Sequence, residues 1–435
     1  MTALVLGGGI SGLTAAHILQ QQKREYLLLE RCPTFGGLTR TVGVGEFCFD
    51  YTGHFLHLSR YSSPEDIPYA NLKNEEWAEI KRRSACFVGG KLVTAPIQYN
   101  LAELPQTLCR ECVESYNARP NNCNGETATF RDYIVSSFGQ VLADLFLIPQ
   151  NEKTMAISLD CLSKDAVKRF FPPPDDKLVR MGMTGPASNA RSYNSTFWYP
   201  KIGGIRRLVE GLQTGLANCI VNQDVMAINL RDSTISTRTG ESFRWDVLFS
   251  SIPLKSFCEM TKDQELTRVA ADLSYSSTVS FNLGLRGSVH SRFANVHWIY
   301  VPDREVPFYR VGFYSNICAG MCTPGHSAIY VEVGLRPEEL DPMSLVDNLQ
   351  PKVIKSLGAL GWVDPGEIVC VVAHVMRYAY VHHTIRRDRT VKTILGRLRE
   401  SGVFPIGRYG LWDYISIEDS MESARAAVGS WIDGV

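Results

Sequence analysis

The first forty residues contain the pattern with the clearest chemistry, a glycine-rich turn after an apolar run. Residues 3–6 are apolar, and the spacing G-x-G-x-x-G follows directly at Gly7, Gly9 and Gly12. In such a turn the first glycine permits a tight bend, the second lets a pyrophosphate approach the backbone, and the third lets a helix pack closely on the strand. Ser11 falls at the start of that helix, where free N–H groups favour a phosphate. The pattern predicts a dinucleotide site; a glycine-rich turn in an unrelated α/β protein is the alternative.

The next residues favour FAD as the dinucleotide. A second apolar run, 26–29, ends at Glu30, where a carboxylate can accept hydrogen bonds from ribose hydroxyls. The glycine pair Gly36-Gly37 follows and resembles a turn of the two-dinucleotide-domain flavoproteins, a superfamily that includes the amine oxidases and protoporphyrinogen oxidase. These glycines would let the chain pass close to the ribityl and phosphate region of FAD, whereas an ordinary surface turn is the alternative. The cofactor contacts predicted here are Arg31, Gly37, Leu38 and Thr39.

Composition argues against several other classes of function. The 435 residues suggest two or three domains, and 45 basic residues balance 45 acidic ones, so no basic field indicates nucleic acid. Apolar runs fall far short of the roughly 20 residues of a membrane span, and the chain begins with a strand, so we expect a cytoplasmic enzyme without a signal peptide. Cys109, Cys112 and Cys123 lack a second close pair of ligands, so no metal is predicted. A redox dithiol is the alternative to reduced, mostly buried thiols.

The elements that position these residues suggest an α/β fold, in which a Rossmann-like FAD-binding domain carries a helical insertion and an antiparallel β-sheet domain. We expect a discontinuous FAD-binding domain of residues 1–95, 200–265 and 365–435. A mainly helical, substrate-side domain would span 96–199. Short alternating apolar runs predict the antiparallel sheet domain at 266–364.

Several further segments resemble UDP-galactopyranose mutase, and they occur in the family's order over most of the chain. They are Tyr51 to His57, Pro96 to Leu101, Tyr199 to Gly204, Val306 to Arg310, Ala379 to Val381, and Gly407 to Asp419. Each segment is modest by itself. Their common order identifies the chain as similar to this family.

The resemblance implies a flavin-dependent nucleotide-sugar mutase of carbohydrate biosynthesis. In that family the N5 atom of reduced FAD attacks the anomeric carbon of a nucleotide-diphosphate sugar, and the pyranose becomes a furanose without net redox. The reduced cofactor would need an unidentified reductant, with NADPH as a candidate, and a homodimer is a further expectation. An FAD-dependent oxidoreductase of the amine oxidase or protoporphyrinogen oxidase type is the alternative function, and a flavoprotein scaffold without chemistry is the third.

The same resemblance assigns roles to individual residues. Arg310 would neutralise the diphosphate, Tyr380 would donate to a phosphate oxygen, and His54 would lie beside the flavin, with His57 flanking it. A salt-bridged arginine, a core tyrosine and structural histidines are the respective alternatives. The remaining predicted cofactor contacts are Val225 near the adenine, Gly407, Arg408 at the flavin ring, and Asp419, which could also cap a C-terminal helix.

The chain departs from the family pattern on the substrate side. The mobile-loop arginine of bacterial members is missing before the turn at Gly203-Gly204, where the nearest arginine is Arg191. Tyr193 or Trp198 could instead offer a stacking surface for the base. Arg386, in a basic stretch after Tyr380, could supply positive charge for the diphosphate, and a solvated helix start is the alternative. These departures leave the sugar and the nucleotide open.

Overall fold

The computed structural model describes residues 2–120, 128–166, 171, 174–185, 195–339 and 342–434. The strands in these ranges are β1 (Ala3–Leu6), β2 (Tyr26–Leu29), β3 (Thr41–Val44), β4 (Phe47–Asp50), β5 (Trp77–Lys81), β6 (Ser84–Val88), β7 (Lys91–Thr94), β8 (Thr196–Pro200), β9 (Cys219–Ile220), β10 (Val225–Asn229), β11 (Thr234–Thr237), β12 (Ser242–Arg244), β13 (Val247–Ser250), β14 (Tyr275–Arg286), β15 (Trp298–Tyr300), β16 (Arg310–Phe313), β17 (His326–Leu335), β18 (Ile368–Val381) and β19 (Val403–Pro405).

The helices complete the mixed α/β fold. They are α1 (Ile10–Gln21), α2 (Gln106–Asn117), α3 (Phe130–Phe138), α4 (Gln140–Leu142), α5 (Ile148–Met155), α6 (Asp176–Thr184), α7 (Arg206–Gln213), α8 (Leu254–Met260), α9 (Gln264–Ala270), α10 (Tyr314–Ile317), α11 (Pro342–Ala359), α12 (Arg387–Glu400), α13 (Gly407–Gly410) and α14 (Ile417–Asp433). A π-helical segment, Ala143–Leu147, joins α4 to α5, and short 3₁₀ turns lie between other elements.

A five-stranded parallel sheet contains the predicted dinucleotide unit at its centre. Its strand order is β19-β13-β1-β2-β9, and α1 packs against both β1 and α14. Leu4 of β1 lies opposite Leu27 and Leu248 in the two neighbouring strands. Because β1 and α1 are almost wholly buried, their apolar side chains form the core that holds the glycine turn in place. The expected Rossmann-like unit is confirmed.

A seven-stranded sheet forms the second layer, with the order β18-β14-β17-β16-β15-β6-β7. Its strand pairs are antiparallel except for β15 and β6, which run parallel. This sheet crosses the predicted domain boundaries, because β6 and β7 come from the segment 1–95 and β18 comes from 365–435. The expected antiparallel sheet is confirmed, while the division of the chain into three domains remains a prediction.

Helices α2 to α6 form a separate apolar cluster around Tyr116, Phe130 and Phe138. The predicted Cys109-x-x-Cys112 pair lies within α2, where burial raises the pKa of both thiols, that of Cys112 to about 12. Cys123 lies outside the described residues. In the described ranges, no group of three or more His, Cys, Asp or Glu side chains could hold a metal ion. No described helix is long and apolar enough to cross a membrane.

The carboxylate of Asp50, at the end of β4, joins the β3–β4 hairpin to β8 and to the start of α7. It accepts hydrogen bonds from the Thr41 hydroxyl (2.6 Å), the Tyr199 hydroxyl (2.6 Å) and the Ile205 N–H (3.1 Å). The backbone carbonyl of Asp50 accepts from the amide of Asn282 in β14 at 2.9 Å. Complete burial raises the pKa of Asp50 to about 6, although the three donors favour the charged form.

We expect Asp50 to make the protein more stable as the pH falls from about 7 to about 5. A carboxyl group with a raised folded pKa binds more protons in the folded than in the unfolded state, so its contribution is full below the unfolded pKa and is lost as pH rises through about 6. This contribution amounts to about 1 kcal/mol over that pH range. Urea unfolding gives the free energy of unfolding of the wild type and of Asp50→Asn at both pH values. The contribution of Asp50 is the change between the two pH values in the wild type minus the change in the variant.

Tyr199→Phe is a companion variant, because it removes one donor to the ionised Asp50 without removing the carboxyl group. The pKa of Asp50 should rise further, and the stabilisation should then begin at a higher pH than in the wild type. Parallel pH dependences in the wild type and in Asp50→Asn would contradict the raised pKa.

Candidate functional site

Two glycine turns meet at the N-terminus of α1. The Gly36 N–H donates to the Gly8 carbonyl at 2.7 Å, and a Cβ placed on Gly9 would lie 3.8 Å from the Cα of Gly37. A Cβ on Gly12 would overlap the carbonyl oxygen of Gly7, which itself has a φ of +91°. No side chain caps the first turn of α1. The free N–H groups and the bare backbone therefore offer the donors and the close approach that a pyrophosphate requires.

The carboxylate of Glu30 holds the ends of this cradle. It accepts from the Gly8 N–H at 2.7 Å and from the Cys32 N–H at 2.8 Å, and it is buried. The backbone carbonyl of Glu30 accepts from the N–H of Gln223, so the buried Val225 at the start of β10 lies close by. Each carboxylate oxygen retains a second lone pair for a ribose hydroxyl.

The other residues predicted around the second turn differ in their placement. The Thr39 hydroxyl donates to the Gly36 carbonyl at 2.7 Å and closes the turn. Leu38 is half-buried beside it, whereas Arg31 is exposed.

The C-terminal segment completes the cradle from the opposite side. A Cβ on Gly407 would overlap the hydroxyl of Ser11, and the Gly407 N–H donates to the hydroxyl of Ser423 at 2.8 Å. Asp419 is not the N-cap of α14, as the sequence suggested, because Ser416 occupies that position. Asp419 is instead the third residue of the helix, and its carboxylate accepts from the N–H and hydroxyl of Ser416 in a capping box. It also pairs with Arg60 at 2.9 Å.

Arg408 lies among aromatic rings next to this segment. Its guanidinium donates to the carbonyls of Ala379 (3.0 Å) and Ile415 (3.3 Å) and lies 4.3 Å from the ring centre of Tyr414 and 5.6 Å from that of Tyr380. Its Nε is buried without a hydrogen-bond partner among the described residues. Arg408 therefore presents a cation that no described carboxylate neutralises by direct pairing.

Arg310 at the start of β16 is paired with Glu332 of β17. Its Nε and Nη2 both donate to the carboxylate, Nη2 at 2.8 Å, and the Thr52 hydroxyl donates to the same carboxylate. The strand register places Arg310 directly opposite Glu332, which is only 1% exposed. Burial opposes the charged form of Arg310, but Glu332 more than offsets that cost and raises the pKa of the guanidinium. Nη1 is left for a ligand, because the described residues give it no acceptor.

Four tyrosines surround this ion pair. Tyr309 precedes Arg310, Tyr330 lies on β17, Tyr380 lies on β18, and Tyr414 is 5.5 Å from Tyr380 between ring centres. Burial raises the pKa of all four hydroxyls, so each is a hydrogen-bond donor at neutral pH.

His54 lies close enough to both arginines to feel their charge. Burial, reinforced by the charges of Arg408 and Arg310, lowers the pKa of His54 to about 3, so the imidazole is neutral near pH 7. Its Nδ1 is buried and has no partner in the described part of the chain. The structure therefore brings His54, Arg310, Tyr380 and Arg408 together, while the roles that the sequence suggested for them remain predictions.

Other predicted residues lie outside this group. The Nδ1 of His57 lies 3.1 Å from the Thr196 carbonyl, and Trp198 pairs through its backbone with Leu56 at 2.8 Å. Arg386 is exposed before α12. Tyr193 lies outside the described residues.

Two neighbouring basic residues of this stretch form hydrogen bonds or ion pairs with other residues of the chain. The guanidinium of Arg387 donates to the carbonyl of Trp412 at 2.9 Å, and His383 pairs with Asp413 at 3.0 Å. They therefore hold the loop that leads into Tyr414.

Glu332, Thr52 and Tyr414 belong to this group but have no individual role assigned from the sequence. Glu332 had a usable signal, because it is a single acid within the apolar strand 328–333, and a charge in such a strand needs a partner. Thr52 and Tyr414 fall within two of the segments that resemble the family, but their approach to Arg310 and Glu332 depends on contacts between distant parts of the chain.

The comparisons with known proteins agree with this fold. Residues 5–65 match the family model for an NAD(P)-binding Rossmann-like domain. The crystal structure of reduced UDP-galactopyranose mutase superposes with a TM-score of 0.90 at 24% identity, covering 100% of this chain and 94% of the other. A protein from Exiguobacterium sp. 255-15 assigned as a protoporphyrinogen oxidase gives 0.77 at 17% identity, covering 100% and 99%. Cyclohexylamine oxidase from Brevibacterium oxydans gives 0.65 at 12% identity, covering 99% of each chain. Similarity at these identities shows a shared fold.

Gly9→Ala should weaken dinucleotide binding while leaving the fold intact. Gly9 has a φ of −79° and a ψ of −173°, which alanine adopts without strain, and its new methyl group would meet the Cα of Gly37 only at 3.8 Å. The methyl group would, however, occupy the gap between the two turns. We expect at least a roughly tenfold loss of FAD affinity, measured by flavin fluorescence, because the pyrophosphate could no longer approach the backbone.

Gly396→Ala is the matched control, since Gly396 lies within α12 and an added Cβ would meet nothing within 4 Å. It should leave FAD affinity unchanged and should stabilise the helix by about 0.5–1 kcal/mol. Equal FAD affinity for Gly9→Ala and wild type would argue against a cofactor in this cradle.

Proposed function

We propose that this chain is a flavin-dependent nucleotide-sugar mutase that uses FAD in its reduced form. The observation that carries the proposal is the group formed by Arg310, Tyr380, Arg408 and His54. It gathers two cations and a buried hydroxyl donor beside two buried polar atoms, the Nδ1 of His54 and the Nε of Arg408, that lack partners among the described residues. The close superposition with reduced UDP-galactopyranose mutase over the whole chain supports the same interpretation.

The residues of the cradle fit FAD. The N-terminus of α1, with the bare backbone at Gly9 and Gly37, would hold the pyrophosphate, and Glu30 would accept from the adenosine ribose. Arg408 and His54 would hold the ring end, because a guanidinium stabilises the negative charge of a reduced flavin. When bound in its reduced form, FAD would supply a nucleophilic nitrogen for the anomeric carbon of the sugar. The proposal requires an external reductant, for which NADPH is the candidate.

The chain's own residues would bind and orient the diphosphate of the substrate. Glu332 fixes two nitrogen atoms of Arg310, so that Nη1 would meet a phosphate oxygen in a defined direction. Tyr380 would donate a second hydrogen bond, since its raised pKa keeps the hydroxyl protonated. The buried tyrosines and the neutral imidazole of His54 would exclude water from the sugar without adding further charge.

An FAD-dependent oxidoreductase is the second candidate, and the Arg310–Glu332 pair favours it. The carboxylate cancels the formal charge of Arg310, so the site is less positive than two arginines would suggest. The similarity to cyclohexylamine oxidase and to the Exiguobacterium protein is compatible with such chemistry.

Anaerobic turnover separates the two functions. We expect the dithionite-reduced protein to interconvert UDP-galactopyranose and UDP-galactofuranose with no net consumption of reductant. Chromatography of the two nucleotide sugars measures the interconversion. The oxidised protein should be inactive and serves as the control. Stoichiometric reduction of the bound flavin by an amine, without isomerisation of the nucleotide sugar, would support the oxidoreductase instead.

Substitution of Arg310 tests the diphosphate assignment. Arg310→Ala would leave Glu332 as an unpaired buried charge, at a cost of about 3–5 kcal/mol, so it is a poor probe of binding. Arg310→Lys keeps the charge but loses the fork, and Arg310→Met combined with Glu332→Gln removes both charges. We expect UDP affinity to fall about 10- to 100-fold in both, measured by calorimetry, because charge-assisted hydrogen bonds to phosphate are lost.

FAD affinity should stay unchanged in these variants. Arg304→Gln is the matched control, because Arg304 precedes β16 on the same connection but is exposed and, among the described residues, pairs only with Glu152. Unchanged UDP affinity in both Arg310 variants would remove Arg310 from the substrate site.

A further inference from the structure

The connection between β15 and β16, residues 301–309, leads directly into Arg310 and is held by α5. The ammonium group of Lys153 donates to three backbone carbonyls of this connection, those of Val301 (2.8 Å), Asp303 (2.7 Å) and Phe308 (2.6 Å). One side chain thus joins the beginning and the end of the connection. All three donors of the ammonium are used, so its position is set by the backbone it binds.

A second side chain of α5 extends this contact to the residue before Arg310. The amide nitrogen of Gln150 donates to the carbonyl of Tyr309 at 3.1 Å. Gln150 and Lys153 are three residues apart and therefore lie on the same face of the helix. Together they fix the backbone on the N-terminal side of Arg310 at both Phe308 and Tyr309.

The far end of α5 is anchored on the same sheet. A Cβ on Gly334 of β17 would overlap the backbone carbonyl of Lys153, and the Nε2 of His382 lies 2.8 Å from the carbonyl of Met155. Gly334 follows Glu332 by two residues on β17, and β17 pairs with β16. The helix is therefore docked on both the connection that leads into Arg310 and the strand of its carboxylate partner.

We propose that Lys153 is a positioning residue that orients Arg310 toward a phosphate by holding the 301–309 connection on α5. This inference rests on the proposed function. It adds a residue of α5 to a site whose other residues lie outside helices α2 to α6. Lys153 does not touch the substrate; it acts through the backbone that carries Arg310. Burial lowers the pKa of its ammonium to about 7, while the charge of the nearby Asp303 favours the charged form.

A double-mutant cycle between Lys153 and Arg310 tests the inference. The four proteins are the wild type, Lys153→Met, Arg310→Lys and the double variant, and the probe is UDP, measured by calorimetry together with unfolding of each protein. If Lys153 acts through the arginine fork, Lys153→Met should weaken UDP binding about tenfold in the wild type and less than about twofold when Arg310 is already lysine, because the fork is no longer there to be oriented. Equal losses in both backgrounds would mean a general effect on packing and would overturn the inference.

Conservative variants keep the test decisive if Lys153→Met does not fold. Lys153→Arg retains a cation that reaches backbone carbonyls and should keep most of the UDP affinity of the wild type. Lys153→Gln retains fewer donors, so its UDP affinity should lie between those of Lys153→Arg and Lys153→Met. Arg304→Gln, on the same connection, is the matched control. It removes a pair with Glu152 of α5 in which Arg304 is exposed, and because exposed ion pairs contribute little, UDP affinity should change by less than about twofold. A failure of Lys153→Arg to restore affinity in a folded protein would count against positioning.

Amide hydrogen exchange separates this inference from the proposed function. Amides of residues 301–313 should exchange faster in Lys153→Met than in Arg304→Gln, with or without UDP, since the methionine variant no longer holds the connection on α5. If the wild type binds no UDP but the two variants differ in exchange, the mutase proposal is refuted and the role of Lys153 in holding the connection stands. UDP binding by the wild type with no change in exchange would refute the role of Lys153 alone.

Discussion

The buried carboxylate of Asp50 is the constraint on which the candidate site depends. It ties the β3–β4 hairpin to β8 and to the start of α7, and its backbone carbonyl ties the same point to β14. Thr52 and His54 follow Asp50 within four residues, so the contacts of Asp50 determine where these two side chains lie. On the other side, Glu418 accepts hydrogen bonds from the backbone of Ser59 and Arg60. The segment that carries His54 is therefore fixed at both ends by buried acids.

Charge compensation explains how two arginines can lie so close to a buried histidine. Glu332 neutralises Arg310 and takes a further hydrogen bond from Thr52, while Arg408 depends on backbone carbonyls and aromatic faces. Isolated buried cations would be costly, but hydrogen-bonded and paired ones are tolerated. The neutral state of His54 follows from the same arrangement, because a third positive charge would be repelled by both arginines. The site is thus rich in donors without being strongly positive.

The sequence predicted the parts of the site that depend on local spacing. Gly7, Gly9, Gly12 and Glu30 belong to one strand–turn–helix–strand unit, whose geometry repeats wherever that spacing occurs. The pairing of Arg310 with Glu332 and Thr52 could not be predicted, because it depends on the register of β16 and β17 and on a segment about 280 residues away in sequence. The sequence also does not show which of the adjacent residues Arg386 and Arg387 is exposed. Both were part of a basic stretch, but the start of α12 leaves Arg386 exposed and turns Arg387 toward the carbonyl of Trp412.

The low net charge of the site bears on how a diphosphate could be bound there. Arg310 and Glu332 cancel formally, and the charge of Arg408 would be matched by a reduced flavin if that cofactor carries a negative charge at its ring. Little net charge then remains to attract a phosphate over distance. Affinity for a nucleotide sugar would have to come from directed hydrogen bonds, those of the Arg310 Nη1 and of the buried tyrosine hydroxyls, in a setting where water is excluded and each bond is stronger than at a surface. Such a site depends on exact placement of its donors, and this is why the residues that hold Arg310 matter as much as Arg310 itself.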